Sequence, residues 1–337
     1  MPNRVQTRDR LLGIIDQFER CRILVAGDLI SDQFLYGRIS RISREAPVLI
    51  LEYSELVRLP GGAANAANNL LSLGAGVIVA GAVGPDRAGR DLVQRLEAKG
   101  ADVRHIARVE NYATPVKTRI LAGAHHSSPQ QIVRVDRESL LAVGRRAPWG
   151  RLARSLLRSD AVIVSDYGYG AVFPDLIHEL RGFARRQGMP VLVDSRFRMG
   201  DFHGITSMTP NITELEACTG VAIGGDSLLL NTAARKILRR LKLASLLVTQ
   251  GRFGMTLFEP HRPAVHIPPY GTDEVADVTG AGDTVIAVFS LALASSGSHE
   301  EAARLANYAG GIVVMKRGTA TASREELAAA VRQDLSS

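Results

Sequence analysis

Ile23-Leu24-Val25-Ala26-Gly27-Asp28 is an unbroken apolar run that ends abruptly in glycine and a carboxylate. Such a run, with no polar alternation, suits a strand buried on both faces. Similar runs recur at 77–80, 161–164, 191–193 and 246–249. Helical patterns stand between them, among them 86–99 and 174–187, so the alternation predicts an α/β fold with a mainly parallel central sheet covered by helices on both faces. Two regions break the rhythm. Residues 33–57 and 112–136 carry short alternating stretches that read as antiparallel strands, paired into a small sheet away from the main one, with His125-His126-Ser127-Ser128-Pro129 as a loop between two of them. The last third is more helical, over 280–295, 300–316 and 324–331.

The chain has 337 residues, 46% hydrophobic and 22% charged, which fits a globular α/β unit with a small appendage and excludes a collagen-like or disordered chain. The net charge of +7 is dispersed and mostly arginine, without a like-charge run. That pattern reads as general attraction for anions such as nucleotides or sugar phosphates, with no nucleic-acid partner. Cys21 and Cys218 match no metal or redox spacing and read as reduced packing residues. The segment 11–18 has helical spacing too interrupted for a signal peptide, and the longest apolar stretch, 285–294, falls well short of the roughly 20 residues that span a bilayer. A soluble, cytoplasmic protein without a membrane partner is expected.

The chemistry concentrates in a few segments. Asp277-Val278-Thr279-Gly280-Ala281-Gly282-Asp283-Thr284 puts small residues at the start of an apolar helix. Thr279, Gly280, Ala281 and Gly282 can turn backbone N–H groups toward an anion, the helix's positive end adds to the pull, and Asp283 would stand beside that anion where a base is useful. A plain glycine turn before a helix has the same composition. In Gly61-Gly62-Ala63-Ala64-Asn65, two glycines let backbone approach a ligand and Asn65 offers donor and acceptor, as a polyol would need; tight helix packing also calls for small residues. Asp28 and Asp32 fall near the C-terminal end of the first strand, where open α/β sheets bind ligands, and are candidate anchors for sugar hydroxyls or ordinary turn residues. Asn211-Ile212-Thr213-Glu214 reads as a capping box in which Glu214 could also organise Mg²⁺ water. Thr249, Gly251 and Gly254 lie in a glycine turn at a strand end, a reasonable place for a nucleotide.

In this order the segments resemble the ribokinase-like (PfkB) carbohydrate kinases over nearly the whole length, with 61–65 similar to that family's first signature and 277–283 to its second. Within the family, 37–48, Ser165-Asp166-Tyr167-Gly168 and 278–286 look like the branch that acts on heptose 7-phosphate in lipopolysaccharide-core precursor synthesis. The resemblance implies a ribokinase-like three-layer sandwich with a β-sheet lid from about 33–57 and 112–136, in one kinase domain over 1–337. It implies ATP and a small-molecule sugar phosphate as substrates, Mg²⁺, in some members a monovalent cation, and a homodimer through the lid. The expected reaction is transfer to the anomeric hydroxyl of D-glycero-D-manno-heptose 7-phosphate, giving the 1,7-bisphosphate; another sugar, or a catalytically silent sugar or nucleotide sensor, is the alternative.

By position, the resemblance makes Asp283 the base and Thr279, Gly280, Ala281 and Gly282 the anion hole. Asp28, Asp32, Gly61, Gly62 and Asn65 would hold the sugar, Arg196, Asn211, Thr249, Gly251, Gly254 and Asn307 the nucleotide, and Glu214 Mg²⁺ through water. Three departures bear on the substrate phosphate. Tyr169 stands where heptose kinases have lysine, Asp194-Ser195-Arg196-Phe197 replaces Asp-Pro-Lys-Gly, and the loop over 123–129 is longer. Lys117, Arg119 and Arg134 are candidate substitutes, or solvated strand residues. Bifunctional relatives continue into a nucleotidyltransferase domain with a His-x-Gly-His motif that this sequence lacks, so a stand-alone kinase is expected.

Overall fold

Alternate residues of the first strand, β1 (Arg22–Gly27), enter two different cores. Ile23 and Val25 pack with α1 (Arg4–Ile15), α2 (Ala63–Ser72), α3 (Arg87–Ala98), α7 (Ala281–Ala294), α8 (His299–Val314) and α9 (Arg324–Asp334). Leu24 and Ala26 face α4 (Pro174–Gln187), α5 (Ile212–Thr219) and α6 (Ser227–Leu241) on the other side. Val77 and Val79 against Ile78 and Ala80, and Ala161 and Ile163 against Val162 and Val164, divide the same way. The apolar runs are thus the middle layer of a three-layer sandwich, as expected. The computed structural model describes residues 4–123, 129–141, 156–271 and 275–335; of the loop expected at 125–129, residues 125–128 lie outside them.

The main sheet has nine strands in the order β13 (Val265–Ile267), β12 (Met255–Phe258), β11 (Ser245–Thr249), β10 (Ser207–Met208), β9 (Val191–Ser195), β8 (Ala161–Asp166), β1, β4 (Gly76–Val83) and β5 (Asp102–Arg108). Neighbours from β11 to β5 run parallel, and β12 and β13 add antiparallel at one edge. The sequence runs correspond to β1, β4, β8, β9 and β11. Unforeseen were β10, β12 and β13, only 2, 4 and 3 residues long, and the edge strand β5, whose Arg104 and Arg108 break an apolar run.

A second sheet has the order β3 (Leu49–Gly62), β2 (Leu29–Ile42), β6 (Val116–Gly123), β7 (Gln130–Arg137). The pairs β2–β3 and β6–β7 are antiparallel, but β2–β6 is parallel, which corrects the antiparallel expectation. The reason is topological: β2 follows β1 almost directly and β6 follows the parallel strand β5, so both set out from the same end of the main sheet. The root of the second sheet is buried through Leu29, Ile30 and Phe34, while Ile42, Tyr53 and Val135 are exposed farther out. Both cysteines are free, and Cys21 packs in the first core. Among the described residues no helix is long and apolar enough to cross a membrane.

Candidate active site

Helix α7 is preceded by Gly280 at its N-cap, whose φ of 80° suits glycine, and carries Asp283 in its first turn. The helix behind it, from Val285 to Ala292, is buried throughout, which fixes its N-terminus against the sheet. Asp283 is only 3% exposed. Its Oδ2 accepts from Asn65 Nδ2 at 2.9 Å and its Oδ1 from the Tyr167 hydroxyl at 3.1 Å. Burial pushes the Asp283 carboxyl up to about 7 against the pull of these two donors, with Asp32 adding to the rise and Lys117 opposing it.

The two glycine-rich segments meet here. Gly62, with φ 57°, leads into α2, and Asn65 on that helix lies so close to Gly280 that a Cβ there would come within 2.5 Å of its Nδ2. Behind Asn65, Asn69 donates to the Asn65 carbonyl at 3.0 Å, and the Thr284 hydroxyl donates to Asn69 Oδ1 at 2.9 Å. A buried side-chain relay therefore joins α2 to α7, and satisfied networks of this kind favour one arrangement of the elements they join.

Two of the four amides expected to face an anion are already engaged within the turn. Thr279 N–H donates to Asp277 Oδ1 at 2.9 Å and Ala281 N–H to the Val278 carbonyl at 3.2 Å, so both are used to close the turn. Asp277 Oδ2 also accepts from Gly318 N–H at 3.0 Å, tying the turn to the segment after α8. The N–H groups of Gly280, Gly282 and Asp283 meet no acceptor among the described residues. They stand at the positive end of α7, where unpaired amides attract anions.

Asp28, the expected sugar anchor, is wholly buried and accepts from backbone. Its Oδ2 accepts from the N–H of Tyr167 at 2.8 Å and of Tyr169 at 3.1 Å, and its Oδ1 from Ala171 N–H at 2.9 Å. Asp32 is also engaged: Arg119 Nη1 lies 2.7 Å from its Oδ1, and its Oδ2 abuts Gly61, where a Cβ would come within 2.5 Å. Among the expected cations, Arg119 is thus committed to Asp32, and Arg134 on β7 pairs with Asp136 at 2.9 Å. Lys117 is buried and has no ion pair among the described residues; its Nζ lies 4.6 Å from the Tyr167 ring centre, and burial pulls its ammonium below the usual range. Tyr169 spends its hydroxyl on Glu138 Oε1 at 3.0 Å.

Beside the N-terminus of α7 opens a cavity of ≈ 720 Å³ that reaches Ala281 and Gly282. Asn211, Thr249, Gly251, Gly254 and Asn307 all line it, so five of the six expected nucleotide residues converge. Val278, Val285, Val314 and Tyr270 give it an apolar wall suited to a flat aromatic base. Gly254 needs its glycine, since at φ 79° a Cβ would fall 2.1 Å from the Ile267 carbonyl. Arg196 is the sixth and is not among the lining residues: its guanidinium lies 6.0 Å from the Tyr167 ring centre.

Asn211 and Glu214 form the expected capping box, with Asn211 Oδ1 accepting from Glu214 N–H at 2.9 Å and Glu214 Oε2 from Asn211 N–H at 3.0 Å. Burial raises the Glu214 carboxyl, and burial with the nearby Glu214 charge raises Asp194, while Arg196 pulls both down. Two neighbouring buried carboxyls suit a hydrated Mg²⁺ that also binds substrate phosphates, although no cluster of three metal-ligating side chains exists among the described residues.

Sequence reasoning noted the Tyr167 turn but not its contact with Asp283, because nothing local signals a partner 116 positions away. It also missed Arg198, which holds Asp166 at 2.7 Å and the Val172 carbonyl at 2.8 Å and so braces the same loop.

The profile of the pfkB family carbohydrate kinases matches residues 23–326. The bifunctional protein HldE of Geobacter sulfurreducens is 43% identical over 309 residues, covering 90% of this chain and 61% of that protein. HldE of Alcanivorax borkumensis is 40% identical over 324 residues, covering 95% and 65%. The chain thus spans less than two thirds of the length of these curated relatives. Among solved structures, ribokinase of Arabidopsis thaliana complexed with ribose and ATP superposes with a TM-score of 0.72 at 18% identity, over 93% of this chain and 99% of that one. Phosphofructokinase-2 of Escherichia coli in complex with fructose-6-phosphate gives 0.70 at 20% identity, over 94% and 99%. These two likenesses speak to the fold. The match across residues 23–326 and the HldE relatives speak to descent: the chain belongs to the pfkB family of carbohydrate kinases.

Proposed function

We propose that this protein transfers the γ-phosphoryl group of ATP to the anomeric hydroxyl of a heptose 7-phosphate. The observation that carries the reading is the buried Asp283 carboxyl, next in the chain to Gly282 in the wall of a nucleotide-sized cavity, beside helix N-terminal amides that meet no acceptor among the described residues. The sugar oxygen attacks the γ-phosphorus as its proton passes to Asp283; the bond from phosphorus to the bridging oxygen breaks, and ADP leaves. The amides of Gly280, Gly282 and Asp283 would neutralise charge on the transferring group, and Arg196 would meet it from the Asp194–Glu214 side. Glu214 and Asp194 would hold the waters of a Mg²⁺ ion, which would supply positive charge against the phosphates.

The heptose assignment rests on the similarity of 37–48 and 165–168 to heptose kinases, together with the HldE relatives. It is tested by incubating the protein and its Asp283→Asn variant with Mg-ATP and D-glycero-D-manno-heptose 7-phosphate, fructose 6-phosphate, ribose or fructose, following product mass. Heptose bisphosphate that depends on Asp283 supports the proposal. Preferential turnover of another sugar replaces the substrate, and no transfer to any of them removes the kinase reading in favour of a silent sensor.

Of Lys117, Arg119 and Arg134, Lys117 is the one without an ion pair among the described residues, and it would meet the substrate's own phosphate. In Lys117→Met the KM for the sugar phosphate is expected to rise about 10- to 100-fold, the loss of one charge-assisted contact, with a much smaller change in the KM for ATP. Equal effects on both substrates would assign Lys117 elsewhere.

The second sheet would act as the lid, and its exposed Ile42, Leu49, Tyr53, Val133 and Val135 support pairing with a second copy. Sedimentation is expected to give a dimer that an Ile42→Lys/Tyr53→Lys variant dissociates; a monomeric parent protein would reject this arrangement.

A further inference from the structure

Tyr167 is held at three points. Its N–H donates to Asp28 Oδ2 at 2.8 Å, its hydroxyl donates to Asp283 Oδ1 at 3.1 Å, and its ring is approached by Lys117 at 4.6 Å and Arg196 at 6.0 Å. Asn65 takes the other oxygen of Asp283, so each carboxylate oxygen has one fixed donor. A carboxylate gripped in this way cannot turn about its terminal torsion, which is otherwise broad. Each oxygen still keeps a lone pair for an incoming hydroxyl.

We infer that Tyr167 is a positioning residue for the base: its hydroxyl fixes the orientation of the Asp283 carboxylate and favours its ionised form, while its ring seats Lys117. This rests on the reading of Asp283 as the base. The groups that act on Asp283 are the neutral donor Asn65 from α2 and the charges of Asp32 from β2 and Lys117 from β6; Asp194 from β9 feels the Asp283 charge in turn. None of these charges forms an ion pair with Asp283 among the described residues, so the two hydrogen bonds are its direct support. The tyrosine is a dependable donor, because burial and the Asp283 charge push its phenol well above the ordinary range.

Tyr167→Phe tests the inference, since it removes the hydroxyl and keeps the ring under Lys117. With Mg-ATP and D-glycero-D-manno-heptose 7-phosphate, kcat is expected to fall about 10- to 100-fold with little change in the sugar KM. The acid limb of kcat/KM should move up by about one pH unit, as loss of a donor to the charged form requires. A ¹³C titration of the Asp283 carboxyl, assigned with Asp283→Asn, should show the same upward displacement without any turnover being needed. A working variant with wild-type kcat, or with an unmoved titration, overturns the inference alone. Absence of transfer by the parent protein overturns the kinase reading instead, and the ¹³C titration then still reports whether the contact supports the charge.

Discussion

Asp283→Asn is expected to lower phosphoryl transfer by about two to four orders of magnitude, the usual contribution of a positioned base, while making the fold more stable in alkaline solution. Both effects come from one buried carboxyl. Its folded value is about 7 against an ordinary 3.8, so between those limits the folded protein keeps a proton that the unfolded chain has released. Stability from this group is therefore complete below about pH 4, is lost as pH rises toward 7, and stays lost above it. The span corresponds to up to about 4 kcal/mol, taken as an order of magnitude. Asparagine carries no such charge. Thermal unfolding of variant and parent should nearly coincide at pH 4.5 and diverge at pH 8.5 in favour of the variant. The kcat/KM of the parent should rise through an apparent pKa near 7, because only ionised Asp283 can take the proton. Equal melting differences at both pH values would mean that the carboxyl is not held neutral in the folded protein.

Asp28→Ala should be among the most destabilising single changes in the chain, by about 3–5 kcal/mol, measured as a fall in the urea midpoint at unchanged slope. Three backbone N–H groups, of Tyr167, Tyr169 and Ala171, would lose their acceptor in a buried setting. Each unsatisfied buried donor costs on the order of 1–3 kcal/mol, less whatever the loop recovers by moving. Activity should fall with stability, because the loop so released carries Tyr167. Asp28→Asn keeps one acceptor oxygen but turns an NH₂ toward backbone donors, and should lie between. A loss under about 1 kcal/mol for the alanine variant would show that water or neighbouring groups can replace the carboxylate.

The middle layer of the sandwich was legible because residues buried on both faces must be apolar without interruption, as in β1, β4 and β8. The two signature segments were also legible, since at Gly62 and Gly280 a positive φ is combined with a neighbour that a Cβ would approach within 2.7 Å. What stayed hidden was partner choice. Nothing in an aspartate after a strand announces that it will gather three backbone amides, as Asp28 does. Likewise an arginine on an alternating strand gives no sign that it is already spent: Arg119 is held by Asp32, four residues beyond Asp28 and far away in the chain. The parallel pairing of β2 with β6 was hidden for a different reason, because alternation reports which face a residue occupies but not the direction of the neighbouring strand.

The second sheet carries a crease. The β2–β3 register slips between Tyr36 and Gly37, the β6–β7 register slips between Ile120 and Leu121, and Tyr36 is paired with Leu121 across β2–β6. Irregularities in separate strand pairs thus fall on one line across the sheet, and each such irregularity bends and twists its strand. On one side of the line lie Asp32, Phe34 and Lys117, clamped to the core and to the site; on the other lies the exposed apolar tip. A second slip of the β2–β3 register, between Ile39 and Arg41, lies in the outer half, so the irregular pairing is kept to the side of the line away from Asp32 and Lys117.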